Sequence, residues 1–489
     1  MAEIDEVLHR LGQAFVAGLR VPGYQLTTVH QHGTQSQTYT TAGEPARLGR
    51  WDDPDLGNAM AALPGVAGRG LVVEMIGDPD GTYTIHWSRE LPSLPARIVL
   101  DDSYRLPGHE QPPARAPGTP DTGVTDPVVL AGVERLVGEF TARHHPQGYA
   151  PGYSEEEIRA AEQQLGVRLP EDLRALYRLL HDDGEESGLL DPFVLAPLDV
   201  LVGWNRTNHP GYHDGLFDDM VIFECVPAGH VRRVSSSNGW VIFARDYGMN
   251  FAAVDLDPGP LGRAGQVITY GRDVRAPVEY VAASVTDLLR RAVATLDDER
   301  PSPPDPEIRV ESIAELPVTA QGVVLRTEAP VRLADFEPCT DLRSLVIRGP
   351  VPLVDLTRSA GLPIERLHLE AARWVPAALP PTLLDLTLSG NDEPAPVAGL
   401  ATLPGLARLD LSGAAVSDLE VISTFPALRV LTLNGSQSTD LLATGRLPER
   451  LAAAGLGGPA GVGDAARWSQ AFGRAGGFRS LTGGPPPRT

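Results

Sequence analysis

The sequence contains no lysine; all 41 of its Lys/Arg positions are arginine. Apart from histidine, every cationic side chain is therefore a planar guanidinium that holds its charge at any physiological pH. With 51 glycines and 45 prolines, this bias points to a GC-rich genome and says nothing about function. Cysteine is nearly missing. Cys225 and Cys339 stand in different proposed domains, which excludes a disulfide framework and makes a reducing cytoplasm the expected compartment. No run approaches the roughly 18 apolar residues of a membrane span. The acidic, amphipathic start MAEIDEVLHRLG does not read as a secretory signal. Against 63 acidic residues the arginines leave a net charge of −22. That argues against nucleic acid or an anionic membrane as a direct partner, because phosphate binding needs a basic surface. The sequence also lacks a P-loop, a Rossmann fingerprint, G-x-S-x-G and H-E-x-x-H.

A chain of 489 residues is expected to form about three domains. In residues 1–106, Ile4, Val7, Leu8, Leu11, Phe15 and Leu19 form an apolar stripe at helical spacing. Tyr24 to Val29 and Gln35 to Thr41 read as strands, and a clearer hairpin joins Leu71–Ile76 to Thr82–Trp87 through Asp78-Pro79-Asp80-Gly81. This helix–hairpin–helix–hairpin order, ending in DPDGTYTIHW, is similar to the YezG-like bacterial immunity family. Ser88, Arg89 and Glu90 replace the paired acids that often follow the last strand there, so no site residue is carried over. Residues 107–127 are a Pro/Gly-rich, extended linker.

The central unit, residues 128–299, is built around WVIFARDYGMNFAAVDLD, Trp240 to Asp257. Two alternating runs around a polar turn predict an antiparallel hairpin with one face in a core. Upstream, Ser154 followed by Glu157 is a capping box that opens an amphipathic helix, and a second helix starts after Leu169-Pro170. YSEEEIRAAEQQLGVRLPEDLRALYRLLHDDG, VIFARDYGMNFAAVDLD, GQVITYGRD and the closing helix VAASVTDLLRRAV resemble the SUKH superfamily in order and spacing. That superfamily includes fungal cell-wall-synthesis regulators and many bacterial immunity proteins. The resemblance implies an α+β fold and a binder with no shared catalytic set. The hairpin turn departs from the family, since Tyr247, Met249 and Asn250 surround a single Gly248.

After a linker at 300–306 the chain repeats. L-x-x-L-x-L begins at Leu342, Ile364, Leu383, Leu406 and Leu428, with degenerate copies at Ala320 and Leu451. The clear starts are 22, 19, 23 and 22 residues apart, the leucine-rich-repeat period. Residues 307–457 are accordingly expected to be a short, irregular solenoid with little regular helix, since only Asn391 and Asn434 lie near the family's asparagine ladder. Residues 458–489 read as a poorly ordered tail. The expected fold class is α+β: an antiparallel-sheet α/β N-terminal module, a SUKH-like central domain and the solenoid.

Candidate contact residues fall in four places. The outward rows of the repeat strands run Ser344, Arg366, Asp385, Arg408, Val430 and Val346, His368, Thr387, Asp410, Thr432. Arg366, Asp385 and Arg408 alternate in sign and form either a cross-strand ladder or, with His368 and Asp410, a partner patch. Asp182, Asp183, Glu185 and Glu186 follow a helix whose dipole they oppose, so they are either a solvated loop or a contact for a basic partner. Trp204, Tyr212, Phe217, Asp218 and Asp219 mix aromatics with acids, as interface hot spots and self-anchored loops both do. Asp246, at the hairpin turn, is the fourth place.

No metal or cofactor is expected. Pro-Gly-Tyr separates His209 from His213, which removes the helical spacing of a zinc pair. Cys225, on one face of the expected strand VIFECV, reads as a small buried hydrophobe. Residues 127–300 hold 27 acidic residues against 16 arginines, which suits steering towards a basic partner and equally plain solubility. The resemblance implies a non-enzymatic bacterial immunity protein masking a basic, nuclease-like toxin. The alternative is a cytoplasmic scaffold or regulatory protein using the SUKH-like and repeat surfaces. A third reading, an enzyme site formed only in three dimensions, would place shifted acids around Asp246 and Asp255.

Overall fold

The computed structural model describes residues 2–17, 19, 21–30, 33–40, 62, 70–91, 93, 96–109, 123–184, 188–206, 216–217, 220–272, 278–295, 307–375, 379–458 and 460–484. The first unit opens with α1 (Ala2–Ala17), whose stripe Ile4, Val7, Leu8, Leu11 and Phe15 is buried against Leu71, Val73, Met75, Ile85 and Trp87. Those partners come from an antiparallel sheet of β1 (Gly23–His30), β2 (Gly33–Thr40), β3 (Leu71–Gly77) and β4 (Tyr83–Ser88). The β3–β4 turn is set by Gly81 at φ 90° and by the Asp80 carboxylate, which accepts from Thr82 N at 2.8 Å. The helix expected between the two hairpins and most of the 107–127 linker lie outside the described residues. The short β5 (Arg97–Val99) leaves this unit for a distant sheet.

The central unit packs α2 (Pro127–His144), α3 (Glu155–Leu165) and α4 (Glu171–Leu179) against a five-stranded antiparallel sheet. Capping explains where the helices begin. Asp126 accepts from Val128 N at 2.7 Å ahead of Pro127, and Ser154 and Glu157 close both halves of the expected capping box. Gly166, at φ 71°, ends α3 in the left-handed conformation. The strands are β6 (Val194–Leu195), β7 (Trp240–Arg245), β8 (Asn250–Asp255), β9 (Gln266–Gly271) and β10 (Glu279–Ala282), in the order β10-β9-β8-β7-β6, with α5 (Leu198–Arg206) after β6 and α6 (Val285–Ala294) closing the unit. The sequence placed one hairpin face in a core. Both are buried: Val241, Phe243, Ala252 and Val254 meet the helices, while Trp240, Ile242, Phe251 and Ala253 meet Cys225, Val231 and Tyr270 on the other side. A second layer from residues 221–234 covers the outer face, and residues 221–225 carry no strand pairing, contrary to the strand expected there.

The third unit is a parallel sheet of β11 (Glu307–Val310), β12 (Gly322–Arg326), β14 (Ser344–Val351), β16 (Arg366–Ala371), β18 (Asp385–Ser389), β19 (Arg408–Gly413), β20 (Val430–Leu433) and β21 (Ala453–Leu456). On the opposite side β13 (Val331–Arg332), β15 (Val354–Asp355) and β17 (Trp374–Val375) form a narrow second sheet, joined by short 3-10 turns and by α7 (Gly435–Ala443). Leu345, Leu367, Leu386, Leu409 and Leu431 stand side by side in register and fill the space between. Asn391 donates to the carbonyls of Glu393 and Ala415 at 2.7 and 2.8 Å, satisfying turn backbone as a ladder asparagine would.

The end of the chain corrects the expected tail. Residues 462–483 are ordered as α8 (Val462–Ala471) and β22 (Arg479–Gly483). Val462, Ala465 and Trp468 enter the repeat core, and β22 pairs with β4 to become the fifth strand of the N-terminal sheet. Glu74 accepts from Val462 N at 3.0 Å, capping α8 from β3. β5 reciprocates by pairing antiparallel with β21, which closes one edge of the parallel sheet. The first and last stretches of the chain therefore complete each other's sheets.

Candidate functional site

Parallel register brings Ser344, Arg366, Asp385, Arg408 and Val430 into one row and Val346, His368, Thr387, Asp410 and Thr432 into the next, as the period implies. The first row faces this chain's own central unit. Arg408 donates to the Phe217 carbonyl, and Arg366 Nη1 lies 3.2 Å from Met220 Sδ. Leu216, Leu106, Val430, Ala452 and Ala453 form an apolar cluster beside them, edged by Phe217 and Tyr104. Asp385 is 4% exposed; burial raises its pKa, and Arg408 and Arg366 oppose the rise. Of the two expected readings, a cross-strand charge ladder or a partner patch, the ladder is the one that fits a buried Asp385 and the contacts of Arg366 and Arg408 with the central unit. In the second row Asp410 is held by its own turn, accepting from Ser412 N and Oγ at 2.9 and 2.7 Å. His368 is pushed down to about 4 by burial and then by Arg348 and Arg366, so it is neutral at pH 7.

An ion-pair bridge that the sequence does not show crosses the same contact. Arg233 of the central unit pairs with Glu365, and Arg343 Nε lies 3.7 Å from the other Glu365 oxygen. Arg233 also donates to the Ile222 carbonyl at 2.5 Å. Residues 97–109 run as a strap from β5 to the central unit: Ile222 N donates to Pro107 O at 3.0 Å, and the His109 ring nitrogen Nε2 donates to Met220 O at 2.6 Å. No sequence signal marks Glu365, because it precedes a strand as one more charged residue.

Asp182 and Asp183, expected together in either a solvated loop or a contact for a basic partner, have different roles. Asp182 faces solvent and bonds the His181 ring at 2.9 Å and Gly184 N at 3.1 Å. Asp183 is 1% exposed and accepts from Leu195 N at 2.7 Å, which anchors β6; burial lifts its pKa to about 6. That burial removes Asp183 from any surface patch. Glu185, Glu186, Tyr212, Asp218 and Asp219 lie outside the described residues. Trp204 is not in a loop: it stands in α5, half-buried, with the Arg245 guanidinium 5.1 Å from its ring centroid.

Asp246 locks the hairpin turn, accepting from Asn250 N and Nδ2 at 2.8 Å each. The turn puts Met249 at φ 68°, a conformation usually left to glycine, and leaves Tyr247 77% exposed. Asp255, at the far end of β8, is fully buried and bonded to Gln266 Nε2 at 2.9 Å, with burial raising its pKa to about 6. Asp246, in the turn after β7, and Asp255, the last residue of β8, thus stand at opposite ends of the hairpin and do not line one pocket together. Burial also raises the Cys225 thiol, away from nucleophilic use. Among the described residues, no His, Cys, Asp and Glu side chains group to hold a metal ion, and no helix is long and apolar enough to cross a membrane.

The sequence reading missed a cavity of about 530 Å³ between α3 and α5. Glu157, Ala160, Ala161 and Gln164 line one side, spaced i, i+3, i+4, i+7 along α3; Asp199, Val200 and Val202 of α5 line the other, with Tyr153 and His181 between. This spacing was available in the sequence, but only the α5 wall makes it a site.

A doubly covered antiparallel sheet with a capped α3, the α4 that follows it and a closing helix defines a SUKH-type α+β domain. Residues 152–291 match the SMI1 / KNR4 family (SUKH-1), so the chain carries an SMI1/KNR4 domain at its centre. The chain is 33% identical over 159 residues to the "Cell wall biosynthesis/cell cycle regulator smi1" of Schizosaccharomyces pombe, covering 29% of this chain and 30% of the relative. It is 40% identical over 167 residues to a "Glucan synthesis regulatory protein" of Neurospora crassa (27% and 31% covered). To the "Cell wall assembly regulator SMI1" of Saccharomyces cerevisiae it is 27% identical over 177 residues (28% and 35% covered). The chain spans about a third of the length of these relatives. They are named as regulators and not as enzymes, in agreement with the non-enzymatic expectation. The toxin-immunity expectation is overturned, since the matched relatives are fungal regulators and not bacterial immunity proteins. The family match ends at residue 291 and leaves the parallel-sheet unit outside it.

Proposed function

We propose that this protein is a non-catalytic regulatory scaffold that works by binding other proteins, with its SUKH-1 domain mounted on a C-terminal leucine-rich-repeat unit. The observation that carries the proposal is the match of residues 152–291 to a family whose relatives are named as regulators. The Arg233–Glu365–Arg343 bridge and the Phe217–Arg408 contact support a fixed geometry between domain and repeat. The repeat assignment is supported by the in-register parallel strands and their buried leucines. Regulation of wall or glucan synthesis belongs to the relatives; what is carried to this chain is control through protein contact, in the cytoplasm.

Capture of the full chain from its source cells, eluted by a salt gradient, tests this reading. The expected result is at least one protein recovered in stoichiometric amount. A chain recovered alone, or turnover of a small-molecule substrate by the purified chain, overturns it.

A further inference from the structure

The α3–α5 cavity has walls of two kinds. One is aromatic: the Tyr153 ring lies on the His181 imidazole, with centroids 4.8 Å apart and planes 25° from parallel. Leu198 N donates to the Tyr153 hydroxyl at 3.1 Å, which fixes that ring against α5. The other wall is aliphatic, from Ala160, Ala161, Val200 and Val202. Two carboxylates reach the cavity from different helices, Glu157 from α3 and Asp199 from the exposed first turn of α5. Asp182, bonded to His181, adds a third negative charge. Burial raises the Tyr153 hydroxyl, and the charges of Asp199, Asp182 and Glu157 raise it further, which places all three acids within electrostatic reach of the ring. Among the described residues, no arginine lines the cavity; Arg178 on α4 is engaged with Glu155 at 3.3 Å and with the Tyr153 carbonyl.

A negative cavity with an aromatic stack and an aliphatic wall complements a cation carried on an alkyl stem. We propose that it receives an arginine or lysine side chain from a segment of a partner protein. The stem lies along Ala160, Ala161, Val200 and Val202, and the charged head sits between Glu157 and Asp199 beside the Tyr153–His181 stack. A protein segment fits better than a free amine, because most of the wall is aliphatic and a lone ammonium would leave it uncovered. This inference rests on the regulatory-binding reading and adds the chemistry of the partner.

The test uses the full chain with alanine and valine methyl groups labelled, so that four lining residues report directly by NMR. The probes are a capped nine-residue Gly/Ser peptide with one central arginine, the same peptide with citrulline, and free spermidine. The arginine peptide is expected to shift the Ala160, Ala161, Val200 and Val202 methyls saturably. The citrulline peptide should bind at least tenfold more weakly, and Asp199→Arg should abolish the shifts with unchanged melting. Equal shifts from citrulline and arginine overturn the claim of a cation, and silence of these methyls overturns the site. Tighter binding of spermidine than of the peptide overturns the assignment to a protein segment. If the full chain captures its partner equally well with and without Asp199→Arg, this cavity is excluded while the regulatory reading stands. Loss of capture by the unsubstituted chain defeats that reading instead.

Discussion

Arg174 is 0% exposed, and its charge is met by Glu162 at 2.5 Å and Glu155 at 2.7 Å, with Nη2 also donating to the Gly123 carbonyl at 3.1 Å. Glu162 is itself fully buried and accepts from Leu169 N at 2.9 Å, so this network joins α3 to α4 and straps down the end of the linker. Removing one partner leaves a buried charge. Arg174→Met is expected to cost about 3–5 kcal/mol in urea unfolding, and the added Glu162→Leu change should return much of it. Asp183 and Asp255 make a pH-dependent contribution of the opposite sense to a surface ion pair. Each has a folded pKa raised from 3.8 to about 6, so the folded state holds the proton more tightly than the unfolded chain. Their contribution is fully present below pH about 3.8 and is lost as pH rises through about 6. Asp183→Asn, which keeps an acceptor for Leu195 N, is expected to reduce the loss of stability between pH 4 and 6.5 by roughly 2–3 kcal/mol. An unchanged pH profile in denaturant melts would contradict it. None of this was legible in the sequence. Asp182 and Asp183 are neighbours of the same type, and only the fold turns one to solvent and the other to β6.

At the scale of elements, periodic and capped segments were legible and short, distant pairings were not. The α1 stripe, the Ser154–Glu157 box and the two outward rows of the repeat strands follow from spacing alone. β5 and β22 have three and five residues, and each pairs with a strand more than 350 positions away, so no local pattern marks them. The hairpin differs from expectation in one respect: alternation placed one face in a core, whereas Trp240, Ile242 and Phe251 on the other face also meet a second apolar layer. Since α8 places Trp468 in the repeat core and β22 covers the β4 edge, ending the chain at residue 457 is expected to lower the melting temperature and promote association. Ending it at 484 should leave both unchanged. Thermal melts and light scattering on the two truncations decide the matter, and equal behaviour would contradict the structural role of the last segment.

The whole molecule is tied together by contacts between units. β5 and β22 exchange strands between the first and third units, and the Arg233–Glu365–Arg343 bridge fastens the second to the third. Glu365 is buried between two arginines, so Glu365→Arg replaces two attractions with repulsion. The expected outcome is that a single calorimetric transition splits, with the SUKH-1 domain unfolding apart from the repeat; one unchanged transition would show that the bridge does not couple them. The partly legible function follows the same division. The SUKH resemblance was readable from helix and hairpin pieces, but the choice between immunity and regulation has no residue-level signature and came from the relatives. That the chain acts by holding other proteins is tested most directly by native mass spectrometry of the assembly isolated at its natural abundance. A complex heavier than the 52.2 kDa chain by an integral number of other protein chains is the expected result. The chain flying alone, or only with a second copy of itself, would contradict it.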